Sequence, residues 1–189
     1  MSAETVWSII VILLVLVIVF ILIYNAMVRL RNRVEEAWSG IDVQLRRRHD
    51  LVPNLVEAVK GYASHERETL ERTTEARAGA VRALGSSPRA EAEAEAALSG
   101  ALGDIRAVVE DYPDLRATEN FQRLQRDLTQ VEDEIQASRR IYNSNTQIYN
   151  TKIQIFPNSI VARIAGFTPR EFFAIADGSD REPVEVTFA

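Results

Sequence analysis

Between Glu4 and Arg29 the chain carries no charged residue, and from Val6 to Tyr24 it reads VWSIIVILLVLVIVFILIY. About 20 apolar residues, each rising about 1.5 Å along a helix, match the roughly 30 Å hydrocarbon layer of a bilayer. Trp7 and Tyr24 stand near the two ends, where amphipathic rings favour the headgroup zone. The run reads as one transmembrane helix over residues 6–24, with residues 1–5 as a short segment on the far side. A cleaved secretory signal would need a basic start, a shorter apolar core and small residues at a cleavage site. Here the start is acidic, and Tyr24-Asn25-Ala26-Met27 closes the run. Only Glu4 is charged before the span, while Arg29, Arg31 and Arg33 follow it closely. The positive-inside rule therefore puts the larger part of the chain on the cytoplasmic side of the cell (inner) membrane. The same three arginines are candidates for contact with anionic lipid.

The rest of the composition excludes several kinds of chemistry. No cysteine occurs among the 189 residues, so disulfides, thiolate metal sites and thiol nucleophiles are ruled out together. A net charge of −5 argues against a nucleic-acid partner.

Beyond the span the pattern is helical. Leu30, Val34, Trp38, Ile41 and Leu45 recur in steps of four and three, and Val52, Leu55, Val59 and Tyr62 resume the row with Arg48 in the vacant slot. Asp50 and Pro53 leave two readings open: a new helix capped by Asp50, or one helix that kinks at Pro53 and runs on. Gly85-Ser86-Ser87-Pro88 breaks the next stretch, with Ser87 suited to cap a helix and Pro88 to begin it. Glutamates alternate with alanines from Glu91 to Glu95 and point about 200° apart on a helix, which reads as a solvated surface. Tyr112-Pro113-Asp114 makes another break. A final long helix follows, with Phe121, Leu124, Leu128, Val131, Ile135, Ser138, Tyr142, Asn145, Tyr149, Lys152 and Phe156 on one seam. That repeat, near 3.5 residues over about five heptads, implies packing against neighbouring helices. Pro157 ends it, a short helix precedes Gly166, and Thr168-Pro169 resembles a further helix start. Pro183 to Phe188 alternates like a lone extended strand.

The expected fold is all-α: the transmembrane helix, then an antiparallel bundle of long helices over residues 25–166, then a short helix and extended tail over 167–189. The bundle is of the up-and-down four-helix type, or has three long helices if Pro53 only kinks its helix.

No constellation for catalysis, cofactor binding or metal binding assembles. His49 and His65, sixteen residues apart, lie about 160° apart around a straight helix. His65-Glu66 begins like a zinc-peptidase signature, but Thr69 stands where its second histidine is required. Asp50, Asn54 and Glu57 share a face, as solvated polar residues commonly do.

Two features of the last long helix remain. Tyr142, Asn143, Asn145, Tyr149 and Asn150 place polar groups on or beside the seam. They read either as a layer that sets helix register or as a groove whose hydroxyls and amides hold a peptide. Ile141, Ile148 and Ile155 form a second apolar row, which calls for burial by another bundle helix or by another subunit.

The segments LRRRHDLVPNLVEAVKGYASHE, YPDLRATENFQRLQ, RRIYNSNTQIYNTKIQIFPNSIVARIAGF and PVEVTF, in this order after a basic-flanked span, resemble the bacterial LemA family. The resemblance implies a membrane-anchored helical bundle with no established catalytic residues. It further implies links to membrane zinc peptidases of the HtpX type, to other small membrane proteins and, in one branch, to magnetosome formation. The expected function is a non-enzymatic, membrane-tethered scaffold or adaptor that works through protein contacts and forms a homo-oligomer. A regulatory subunit of a membrane peptidase or of an envelope-stress pathway is the alternative. An enzyme would need a converging nucleophile, base and orienting group.

Overall fold

A computed structural model describes residues 3–63 and 65–174, all of the regular structure there being helical. The described residues divide into two compact units, residues 3–51 with 122–172 and residues 52–63 and 65–121 with 173–174. The strand pattern at Pro183 to Phe188 lies outside the described residues.

The first helix, α1 (Ala3–Lys60), resolves the choice at Asp50: the helix runs on through Pro53. Asp50 is exposed and caps nothing, and no turn divides the helix there. Proline lacks the N–H that the carbonyl of His49 would take in a regular helix. Burial of Val52, Leu55 and Val59 on the face already set by Val34, Ile41 and Leu45 keeps the helical phase across the defect. Each such aliphatic side chain stabilises the fold by about 1.5–3 kcal/mol relative to exposure. Tyr62, expected on this row, is exposed, because α1 stops at Lys60 and Ala63 becomes the buried residue.

In the first unit α1 packs antiparallel to α5 (Glu119–Gln154). Residue numbers on one helix fall as they rise on the other: Arg33 meets Asn145, Trp38 meets Tyr142, Arg47 meets Glu134 and Arg48 meets Glu132. The slot that Arg48 takes in the apolar row is buried, its side chain being 3% exposed, and its guanidinium donates to Glu132 at 2.8 Å. A buried arginine requires such a partner.

Phe121, Leu124, Leu128, Val131 and Ile135 of α5 are buried as their spacing predicts, as are Tyr142 and Tyr149. The late seam differs. Thr146 and Ile153 are buried where Asn145 and Lys152 were expected, and Phe156 is exposed. A straight α-helix drifts about 20° per heptad from a 3.5 repeat, so after several heptads the contact face has moved on by a residue. After Pro157, α6 (Asn158–Ala165) buries Val161 and Ala162 and closes at Gly166. Gly166 has φ +72°, a left-handed conformation that favours glycine. Phe167 N–H then donates to the Ala162 carbonyl at 2.9 Å.

The second unit holds a helical hairpin, α2 (Arg67–Ala83) and α3 (Pro88–Glu110), with the short α4 (Pro113–Ala117). The chain turns between Lys60 and Arg67, a break the apolar pattern does not announce. Gly61 is a poor helix former, and the Tyr62 N–H tightens onto the Val59 carbonyl at 3.0 Å. The Thr73 hydroxyl donates to the Ala101 carbonyl and Arg72 pairs with Asp104 across the hairpin. Ser87 caps α3, accepting from Ala90 N–H at 3.3 Å, with Pro88 in the first turn. The glutamate run is not wholly solvated: Glu91 and Glu95, four apart on one face, are buried. Glu91 accepts the Gly85 N–H at 2.7 Å, which satisfies a donor of the tight turn between the two helices.

Candidate functional site

Three polar residues of α5, Tyr142, Tyr149 and Asn150, converge on one object, the chain's own segment 167–172. Gly166 turns the chain back, and residues 167–172 have no regular structure. No helix begins at Thr168-Pro169, in contrast to the expectation from sequence. The segment makes its main-chain bonds to α5 side chains. Tyr149 donates its hydroxyl to the Thr168 carbonyl at 3.0 Å, and Tyr142 donates to the Glu171 carbonyl at 2.8 Å. Asn150 matches both polar groups of one residue: its Nδ2 donates to the Arg170 carbonyl and its Oδ1 accepts the Arg170 N–H, each at 2.8 Å. These bonds hold the segment as a strap.

Side chains at the ends complete the attachment. Arg170 Nη2 meets Glu35 of α1 at 3.0 Å. The Phe167 ring lies edge-on to Tyr24, with centroids 5.6 Å apart, and the Arg31 guanidinium sits 5.7 Å from the Phe167 ring centre. Trp38 of α1 packs on Tyr142, with ring centres 5.1 Å apart. Burial raises the Tyr149 hydroxyl above its usual pKa; the positive charges of Arg170 and Arg31 act against this shift and Glu35 adds to it. The hydroxyl therefore keeps the proton that it donates.

Asn145 and Asn143 lie elsewhere. Asn145 is half-buried and its Nδ2 reaches the Arg33 carbonyl at 3.3 Å, a direct link between α5 and α1. Asn143 lines a shallow polar depression with Arg139, Arg140, Gln147 and Phe172. Ile141 and Ile148 of α5, and Ile155 immediately after its last residue, point away from the packed face and are exposed. No other helix of this chain covers them among the described residues. Of the three arginines, Arg29 and Arg33 are exposed and Arg31 is half-buried. Among the described residues no group of three or more His, Asp or Glu side chains gathers that could hold a metal ion. Sequence reasoning missed Glu35, Thr168, Arg170 and Glu171 as members of this site. Only the polar interruptions in the seam pointed toward them.

A profile of the LemA family matches residues 37–188, which include the tyrosines, the asparagines and the strap. The chain belongs to the LemA family. This LemA-family chain is 26% identical over 174 residues to magnetosome proteins MamQ 1 and MamQ 2 of Paramagnetospirillum magneticum. It is 27% identical over 174 residues to magnetosome protein MamQ of Magnetospirillum gryphiswaldense. In these matches 79% of the chain is covered, and 64% of each relative. Protein LemA of Metamycoplasma hominis is 27% identical over 139 residues, covering 74% of the chain and 63% of that protein. The chain thus spans somewhat less than two thirds of the length of these relatives. The family match begins after the apolar run. Of the described helices α1 alone is long and apolar enough to cross a membrane, and none of its apolar window is buried.

Proposed function

We propose that this LemA-family chain is a single-pass, membrane-anchored, non-catalytic adaptor that self-associates through the outer face of α5. One observation carries the reading: Ile141, Ile148 and Ile155 recur every seven residues and are 58%, 51% and 46% exposed. A stripe at heptad spacing is the seam that a second helix packs against, and a second copy of the chain presents the same stripe. Anchorage through residues 6–24 in the cell membrane, with the bundle on the cytoplasmic side, follows from the apolar run and the arginines after it. The relatives named as magnetosome proteins are in keeping with work at a membrane.

Because the natural chain has no cysteine, Ile148→Cys introduces a single thiol. Mild oxidation of membranes carrying this variant should give a disulfide-linked dimer of the chain. Crosslinking of Ile148→Cys to a different protein, such as a membrane peptidase, would replace self-association by the regulatory-subunit reading. No crosslink from position 141, 148 or 155 would overturn the use of this face.

A further inference from the structure

We infer that α6, with Phe156 before it, is a second membrane contact that lies in the headgroup zone of the leaflet where the apolar run of α1 ends. The inference rests on the reading of residues 6–24 as a span. Three observations place the segment there. First, the antiparallel pairing of α5 with α1, from Arg48–Glu132 through Trp38–Tyr142 to Arg33–Asn145, carries the end of α5 back toward the apolar run. Second, the residue after α6's glycine stop, Phe167, touches Tyr24, the last residue of that run. Third, α6 is apolar on both faces. Val161 and Ala162 are buried against the protein, while Ile160 and Ile164, four apart on the opposite face, are 52% and 70% exposed.

Phe156 is 80% exposed just before this helix. Apolar residues scattered singly over a surface need no partner, but large ones gathered in one short segment mark an interaction surface. The charges around it specify the occupant. Arg163 is exposed on the outer side of α6, and Arg29 and Arg33 are exposed on the first turns of α1 beyond the run. Short helices with isoleucine and phenylalanine toward the acyl boundary and arginine toward anionic headgroups lie in the membrane interface. An anionic phospholipid surface fits this combination of apolar area and positive charge.

The experiment uses the full chain in phosphatidylcholine–phosphatidylglycerol vesicles, with single cysteines labelled by an environment-sensitive fluorophore. Val15→Cys reports on the span, Phe156→Cys and Ile164→Cys on the proposed contact, and Thr129→Cys, exposed on α5, on water. Labels at 156 and 164 should emit at shorter wavelength than the label at 129 and lose intensity to lipids brominated near the headgroup. The label at 15 should respond most to lipids brominated deep in the chain. Quenching at 15 with none at 156 or 164 overturns the contact and leaves the anchor standing. Quenching at none of these positions overturns the anchor as well. A short-wavelength emission at 156 and 164 that brominated lipid leaves intact, and that fades on dilution of the protein, assigns the surface to a second copy and also overturns the contact.

Discussion

Tyr149 couples a proton to the attachment of the strap. Its hydroxyl donates to the Thr168 carbonyl, and burial raises its pKa in the folded chain above the unfolded value of about 10. A raised pKa means that the contribution to stability is complete below about pH 10. It is lost as the pH rises through the folded value, since the unfolded chain gives up its proton first. Tyr149→Phe should remove one tyrosine ionisation from the part of an alkaline absorbance titration above the usual tyrosine range. It should also lower unfolding stability at neutral pH by about 1 kcal/mol, the net worth of one hydrogen bond. Glu132 offers a second residue-scale check. Glu132→Ala leaves the buried Arg48 guanidinium without this carboxylate, and denaturant unfolding should register a loss of about 2 kcal/mol, as for other hydrogen bonds to charged groups.

Among the helices, α1 is the one whose continuity the residues alone left undecided. Asp50 and Pro53 form a plausible boundary locally, but the buried row on either side of them holds one phase, and packing overrode the local signal. Proline in a helix interior costs about 3 kcal/mol, and Pro53 is exposed. Pro53→Ala should therefore raise the melting temperature, by an amount corresponding to at most that cost. The same competition explains what the sequence made legible. Long periodic stretches, the break at Gly85 to Pro88 and the all-α class were readable because repeated burial or a cap enforces them. The turn after Lys60 was not, since Gly61 alone is a weak signal. The phase of late α5 was misjudged by one residue because the helix keeps 3.6 residues per turn. The strap was illegible because its bonds run from side chains to main chain. Main-chain groups are the same in every residue, so nothing in the letters of 167–172 announces them.

For the molecule as a whole, the self-association proposed for the exposed isoleucine stripe can be tested apart from stability. A polar replacement at an exposed position normally changes stability by less than about 0.5 kcal/mol. Ile148→Glu should thus leave the unfolding curve of the dilute detergent-solubilised chain unchanged while it abolishes concentration-dependent sedimentation. A drop in stability of the dilute chain would instead place Ile148 in its own core. The strap has a different consequence, for divergence within the family. Tyr142 and Tyr149 grip carbonyls, so the identities of Thr168 and Glu171 are nearly unconstrained by that grip. Mutational drift can rewrite those two positions while the segment stays in place, whereas the tyrosines that hold it are not interchangeable with residues lacking a hydroxyl.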